Sequence, residues 1–260
     1  MPKVSVVMAV FNEEQNISRA MDSILSQTYK DFEFIIINDG STDNTLKIIR
    51  EYRDNRIKLI DKGYNSGLAD SLNIGIQNAQ GDFIARMDAD DFSEKDRLEI
   101  QVEFLENNPD LVLVGTWAYL NDLNSNTKKK CEPPTSDKSI KKYMQKDNPF
   151  IHSSVMLRKD ILKRVGYYNP MVGMEDYDLW IRIGKYYKVA NIPIFLVTRY
   201  ENRNIHTRPF YKGLKRYDIY SLRLQHQLQA IKNFRIYPET IWYLSRTIIC
   251  MILYKLGLRK

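Results

Sequence analysis

The amino-acid sequence predicts an α/β fold, a mostly parallel sheet with helices on both faces. Three observations carry that prediction. Over the first 107 residues, short apolar runs alternate with segments whose apolar residues recur every three or four positions. The apolar runs are continuous rather than alternating, the pattern of strands buried on both faces. Several of them end abruptly in polar or acidic residues, as strands do where they meet a ligand crevice at the carboxyl edge of such a sheet. With 260 residues, 43% of them hydrophobic, the chain suffices for one large domain or one domain with an appendage.

Val4–Val10 reads as the first buried strand, broken by Phe11-Asn12-Glu13-Glu14. The following helix has one apolar face, through Ile17, Ala20, Met21, Ile24 and Leu25, and stops near Gln27-Thr28. Phe32–Ile37 is the second strand. In Asn38-Asp39-Gly40-Ser41-Thr42-Asp43, Gly40 permits a turn and Ser41 or Thr42 can cap a helix over Asn44–Tyr52. Ile57–Ile60 is the third strand, and Leu68, Leu72, Ile76 and Ala79 mark a helix over Leu68–Ala79. Gly81 punctuates the start of a fourth strand through Phe83, Ile84 and Ala85, and a helix is expected over Glu94–Asn107. Strand–helix alternation at this spacing implies a parallel sheet.

The pattern changes after Asn107-Asn108-Pro109. Leu111–Leu120 reads as a longer strand, with Lys128–Cys131 returning as a hairpin partner. Ser136–Gln145 is a short helix, Ser153–Leu157 a strand, Lys159–Val165 a helical turn and Gly166–Met174 a loop. A helix opens at Glu175 and runs to about Tyr187, and Val189–Val197 is a strand broken by Pro193. Helices are expected over Arg208–Asn233 and Pro238–Leu256.

The net charge of +7 is uneven. Residues 201–260 carry twelve Lys/Arg against three acids, a net +9, which leaves −2 on residues 1–200. A basic tail on a near-neutral body suggests an anionic surface partner. No recognised nucleic-acid module accompanies it, so nucleic acid is not an expected partner. Two distant cysteines, Cys131 and Cys250, suggest neither a disulfide framework nor a zinc site, and favour a reduced, cytoplasmic setting. No secretory signal or transmembrane run is evident.

Met87-Asp88-Ala89-Asp90-Asp91 is the stretch on which function turns. In an extended segment side chains two apart share a side, so Asp88 and Asp90 face one site while Asp91 faces away or begins the next turn. Like charges that close call for a cation between them, and oxygen ligands suit Mg²⁺ or Mn²⁺, which ordinarily bring phosphate. The competing reading is a solvated turn in which Asp91 or Ser93 caps the next helix. Asp39 ends the neighbouring strand. It suits a turn, but an ordered carboxylate there can also accept the N–H of a nucleobase. Phe11 either packs in the core or offers that base an aromatic face.

Together these segments resemble the family 2 glycosyltransferases, inverting enzymes of the GT-A fold. The resemblance is carried by Val4 to Glu13, by Ile36-Ile37-Asn38-Asp39-Gly40-Ser41-Thr42-Asp43, by Asn65–Gly75 and by Met87 to Asp91, in that order. It continues through His152-Ser153-Ser154-Val155-Met156 and Glu175-Asp176-Tyr177-Asp178-Leu179-Trp180-Ile181-Arg182 and fades after about residue 200. Residues 1–108 would be the nucleotide-sugar-binding half, 109–200 the acceptor-side half, and 201–260 a basic, aromatic helical extension.

The resemblance implies roles. Phe11 and Asp39 would hold the base, with Ala9 and Glu13 in the same nucleotide-binding segment. Asp88 would approach the ribose and metal, Asp90 would bind Mn²⁺ or Mg²⁺, and Asp176 would be the catalytic base, with Glu175 as its fallback. Ala9 stands where the family often has proline or threonine, Phe11 where it has tyrosine, and Asn38 where it has aspartate. The expected reaction moves a sugar from a nucleotide diphosphate, UDP foremost, to a hydroxyl of a glycan or lipid-linked acceptor in cell-surface polysaccharide synthesis. A nucleotidyltransferase and a non-catalytic membrane-surface adaptor are the alternatives. Acids in a first helical turn also favour the helix dipole, so Asp176 has a structural reading too. Trp180 packs beneath the sugar or in the core. His152 is structural or touches acceptor or phosphate, and His206 is a candidate to complete the metal shell. The C-terminal helices either lie on an anionic membrane at the cytoplasmic face, pack on the body, or form a homodimer.

Overall fold

A computed structural model of the chain describes residues 1–122, 125, 127–171, 173–201, 216–256 and 258. Among these residues the strands form one sheet in the order β3-β2-β1-β4-β8-β6-β9-β5, with β7 paired to β6. β1 (Val4–Val10), β2 (Phe32–Asn38), β3 (Ile57–Asp61) and β4 (Phe83–Arg86) run parallel. Past β4 the sheet is mixed: β8 (Met156–Arg158) is antiparallel to both β4 and β6 (Leu111–Asp122), and β9 (Lys188–Glu201) is parallel to β6. The two predicted halves therefore share one sheet across the β4–β8 seam.

Strand periodicity sorts the core into two layers. Val7, Ala9, Ile35 and Ile37 face α3 (Leu68–Asn78), packing with Leu72 and Ile76. Val6, Met8, Phe34 and Ile36 face the other way, toward Ile17, Met21 and Ile24 of α1 (Ile17–Leu25) and Leu98 and Val102 of α4 (Arg97–Asn107). α2 (Thr45–Glu51) links β2 to β3.

Several sequence expectations shift for identifiable reasons. The helix expected from Glu94 starts at Arg97, because Phe92-Ser93 forms a short strand, β5, against Thr198 and Val197 of β9. The buried Gln27 side chain holds that junction, donating to the Glu94 carbonyl at 2.7 Å and accepting the Leu98 amide at 3.0 Å. Ser41 and Thr42 do not cap α2. Ser41 Oγ accepts the Asn12 amide at 3.0 Å and the Thr42 amide donates to Asn12 Oδ1 at 2.8 Å, which ties the loops after β1 and β2 together. Asn12 adopts a left-handed φ of 54° to make this junction. A 3₁₀ turn, His152–Ser154, replaces the start of the strand expected at Ser153. β9 runs through Pro193 unbroken: the register to β6 jumps from Ile192 to Phe195, so the proline falls outside the ladder.

β7 (Thr127–Cys131), α5 (Asp137–Tyr143), α6 (Lys159–Val165) and α7 (Glu175–Tyr186) lie close to their predicted spans, and Ser136 caps α5. α8 (Arg216–Asn233) docks on α7: the Tyr177 and His226 rings stack at 5.3 Å and Gln229 Nε2 donates to Asp178 Oδ1 at 3.1 Å. α9 (Pro238–Lys255) follows.

Candidate active site

The strand order places a topological switch point at β1 and β4, since the chain moves outward from β1 through β2 and β3 and then returns to β1's other side with β4. Open α/β sheets bind ligands at such a point, beyond the strands' carboxyl ends. The acidic stretch begins there. Carboxylate oxygens of Asp88, Asp90 and Asp91 all lie within 4.8 Å of one another. Asp91 therefore does not face away. β4 ends at Arg86, residues 89–90 form a turn and the chain bends at 91, so the two-residue alternation of a strand no longer applies.

The surroundings set each charge. Asp91 is buried; it accepts the Ser153 hydroxyl, and it accepts the Tyr200 amide at 3.2 Å, with Arg199 3.9 Å away. Burial, then Asp88 and Asp90, push its carboxyl well above the usual carboxylate range. Burial and then Asp88 push Asp90 the same way. Burial opposes ionisation of Asp88 too, but its ion pair with Arg86 holds it below the usual range. Glu13, at the end of β1, is raised to about 7 by burial, with Asp90 and Asp88 adding, although Asn16 donates to it at 2.8 Å. Arg19 spans the gap: it donates to the Asp90 carbonyl at 2.6 Å and lies over the Tyr200 ring at 3.8 Å.

Arg86 is the functional residue that sequence reasoning missed. Its side chain is 2% exposed, and it makes an ion pair with Asp88 two positions on. The signal was present: an arginine inside an apolar strand is a buried cation, and such a cation needs an acid. Arg97 braces it, fully buried, donating to the Ser153 carbonyl at 2.6 Å and the Arg86 carbonyl at 3.2 Å.

Asp39 sits at the end of β2, its amide bonded to the Val10 carbonyl at 2.8 Å. Its Oδ1 accepts Lys62 Nζ at 2.5 Å and the Ser66 amide at 2.9 Å, and its Oδ2 accepts the Gly67 amide at 3.0 Å. It anchors the loop leading into α3. Ala9 belongs to the core on the α3 side, and Phe11 is half-buried just past β1.

Glu175 and Asp176 open α7 after Met174, whose left-handed φ of 60° reverses the chain. Asp176 Oδ2 accepts Asn148 Nδ2 at 2.7 Å and Oδ1 accepts the Tyr177 amide at 2.8 Å. Burial raises both acids, and Glu175 is raised further by Asp176. Arg86 acts on both, and Asp88 on Glu175, so this pair shares the electrostatic environment of the aspartate cluster.

Comparison with known proteins shows the family. The family model described as glycosyl transferase family 2 matches residues 5–166. A glycosyltransferase of Methanocaldococcus jannaschii described as uncharacterized is 39% identical over 229 residues, 85% of this chain and 79% of the relative. The chain belongs to glycosyl transferase family 2. It is a glycosyltransferase. Another relative, the Escherichia coli UDP-Glc:alpha-D-GlcNAc-diphosphoundecaprenol beta-1,3-glucosyltransferase WfgD, is 29% identical over 231 residues, 88% of this chain and 89% of its own length. The crystal structure of S. aureus TarS 1-349 in complex with UDP-GlcNAc superposes with a TM-score of 0.70 at 20% identity, over 95% of this chain and 71% of that one, which shows the shared GT-A fold.

The remaining family-based expectations fall at different depths. Trp180 is fully buried, edge-on to Phe150 at 5.7 Å and to His152 at 6.0 Å, so core packing is the reading its position fits. His152 Nε2 bonds the Tyr168 hydroxyl at 2.8 Å. Burial and Arg86 hold its imidazole neutral, well below its ordinary pKa. His206 lies outside the described residues.

Proposed function

We propose that this transferase moves a sugar, with inversion, from a UDP-sugar to a hydroxyl of a glycan or lipid-linked acceptor in the synthesis of a cell-surface polysaccharide. The observation that carries the reading is the meeting of three carboxylates within 4.8 Å at the β1/β4 switch point. The E. coli relative WfgD, named as a UDP-Glc enzyme with a diphosphoundecaprenol-linked acceptor, supports the donor and acceptor class. Such an acceptor would bring the protein to the cytoplasmic face of a membrane.

Asp88 and Asp90 would hold Mn²⁺ or Mg²⁺. Their hard oxygens suit either ion, and burial, then the neighbouring Asp88, raises the Asp90 carboxyl, a cost of ionisation that a bound cation would offset. Such a cation, when bound, neutralises charge building on the leaving diphosphate. Phe11 and Asp39 would flank the nucleobase, alongside Ala9 and Glu13. Asp39 retains acceptor capacity on Oδ2, which accepts the Gly67 amide, while Oδ1 accepts both Lys62 and the Ser66 amide.

Asp176 would take the proton from the acceptor hydroxyl. Asn148 fixes its Oδ2, and its raised carboxyl suits a base that works near neutral pH. The acceptor oxygen then bonds directly to the anomeric carbon as the bond to UDP breaks, so no enzyme nucleophile is needed. The test is incubation with a panel of UDP-sugars and Mn²⁺. Metal-dependent release of UDP supports the reading; release of pyrophosphate, or no nucleotide binding, overturns it.

A further inference from the structure

Helix α9 is apolar on its outward face as well as toward the body. A helix on a protein surface ordinarily buries its apolar stripe and exposes its polar one. α9 buries Thr240, Thr247 and Cys250 against the body, with Tyr243, Leu244, Met251 and Tyr254 half-buried, and still leaves Ile241 67%, Trp242 59%, Ile249 55% and Ile252 45% exposed. Ile248 and Leu256, also exposed, lie in the same outward stripe, which spans an arc of roughly 120° at 3.6 residues per turn. Arg246 borders that stripe on one side and Lys255 on the other, both exposed. The Arg246 guanidinium lies 5.6 Å from the Trp242 ring. Arg235 and Ile236, both exposed, carry the same composition into the connection before the helix.

We propose that α9 docks flat on an anionic lipid bilayer, seating Ile241, Trp242, Ile248, Ile249, Ile252 and Leu256 at the boundary between headgroups and acyl chains. A tryptophan within the apolar stripe and basic residues on both its borders match the chemistry of that boundary, where amphipathic rings and snorkelling cations sit. The helix lies in the plane: no helix among the described residues is long and apolar enough to cross a membrane.

Charge decides between a lipid surface and a second copy of the chain. The only acid in α9 is Glu239, and it is bound to Lys142 at 2.9 Å. Two stripes packed together would bring the exposed Arg246 of each copy against a stripe that carries no acid to answer it. Anionic headgroups supply that answer, and the net +9 of residues 201–260 adds to it.

The inference stands on α9 alone and does not depend on the donor, the metal or turnover. Its test is co-sedimentation of the full chain with vesicles of phosphatidylcholine alone and of phosphatidylcholine with about one-third phosphatidylglycerol, a strongly anionic surface. Binding to the anionic vesicles, weakened by salt, is expected, with a blue shift of tryptophan emission that Trp242→Phe removes. Ile249→Glu and Ile252→Glu should each weaken binding on the order of tenfold, since each forfeits the burial of an isoleucine. Arg246→Gln should weaken it about fivefold while leaving the apolar stripe intact. All three positions are exposed, so the melting temperature should hold and report intact folding. No binding to anionic vesicles overturns the proposal, as does equal binding by Ile249→Glu. So does a dimer, seen by sedimentation velocity, that Ile249→Glu dissociates and that vesicles leave in solution.

Discussion

Asp88, Asp90 and Asp91 crowd their oxygens within 4.8 Å, and Arg86 forms an ion pair with only the first of them. The excess charge is the physical reason to expect a cation, and it gives the site two separable mutants. Asp90→Asn should lower Mn²⁺-dependent UDP affinity by on the order of tenfold or more, read by calorimetry with and without the metal. Unchanged affinity would remove Asp90 from the metal shell. Asp176→Asn should keep UDP affinity and lose transfer by on the order of 10²-fold, the scale of a general base. Near-normal turnover would shift that role to Glu175. At this scale the Asp88/Asp90 spacing was legible in the chain. Of the two readings of Asp91, facing away or beginning the next turn, the first fails because the strand stops at Arg86, and where a strand stops is settled by its pairing partners.

At the scale of elements, β4 enters the sheet through a place with no room. The Gly81 amide donates to Ser5 Oγ at 2.8 Å, and a Cβ at Gly81 would lie 2.6 Å from the Ser5 nitrogen and 2.7 Å from the Val4 carbonyl carbon. Those atoms belong to the backbone at the start of β1 and cannot swing aside as a side chain would. Gly81→Ala should therefore cost roughly 2 kcal/mol or more through overpacking, measured as a drop in the urea midpoint at constant m-value. An unshifted midpoint would mean that the entry to β4 yields freely. The sequence marked Gly81 as punctuation; the close approach of another strand is what makes the absence of a side chain necessary.

For the molecule as a whole, the buried acids couple folding to protons and metal. Glu13, raised to about 7, and Asp90, Asp91, Glu175 and Asp176, all raised with burial as the leading cause, bind protons more tightly folded than unfolded. Their stabilising effect is full below the ordinary carboxylate range and is lost as pH rises through the raised values. His152 has the opposite sign, since its folded pKa is depressed, but its effect is complete above its ordinary value of 6.5. The window from pH 6.5 to about 8 is thus where the acids alone act, and the metal-free melting temperature should fall across it. Added Mn²⁺ should raise the melting temperature more at the upper end, where the ligands are ionised. A metal-induced rise that is flat with pH would count against a cation among these acids.

Residue order alone sets the alternation of strands and helices, the two-faced burial of β1 and β2 and the acids at the ends of β2 and β4. These are local periodicities, written in residue order. The tertiary structure decided which ends meet. Arg86 became the charge partner of Asp88, Ser153 and Tyr200 closed on Asp91, and Asn148 took hold of Asp176. Asp39 was drawn into the loop before α3 by Lys62 and two amides. α9, apolar on both faces, left one of them outward, because the face of a helix that becomes buried depends on what it packs against, and a single helix does not carry that information.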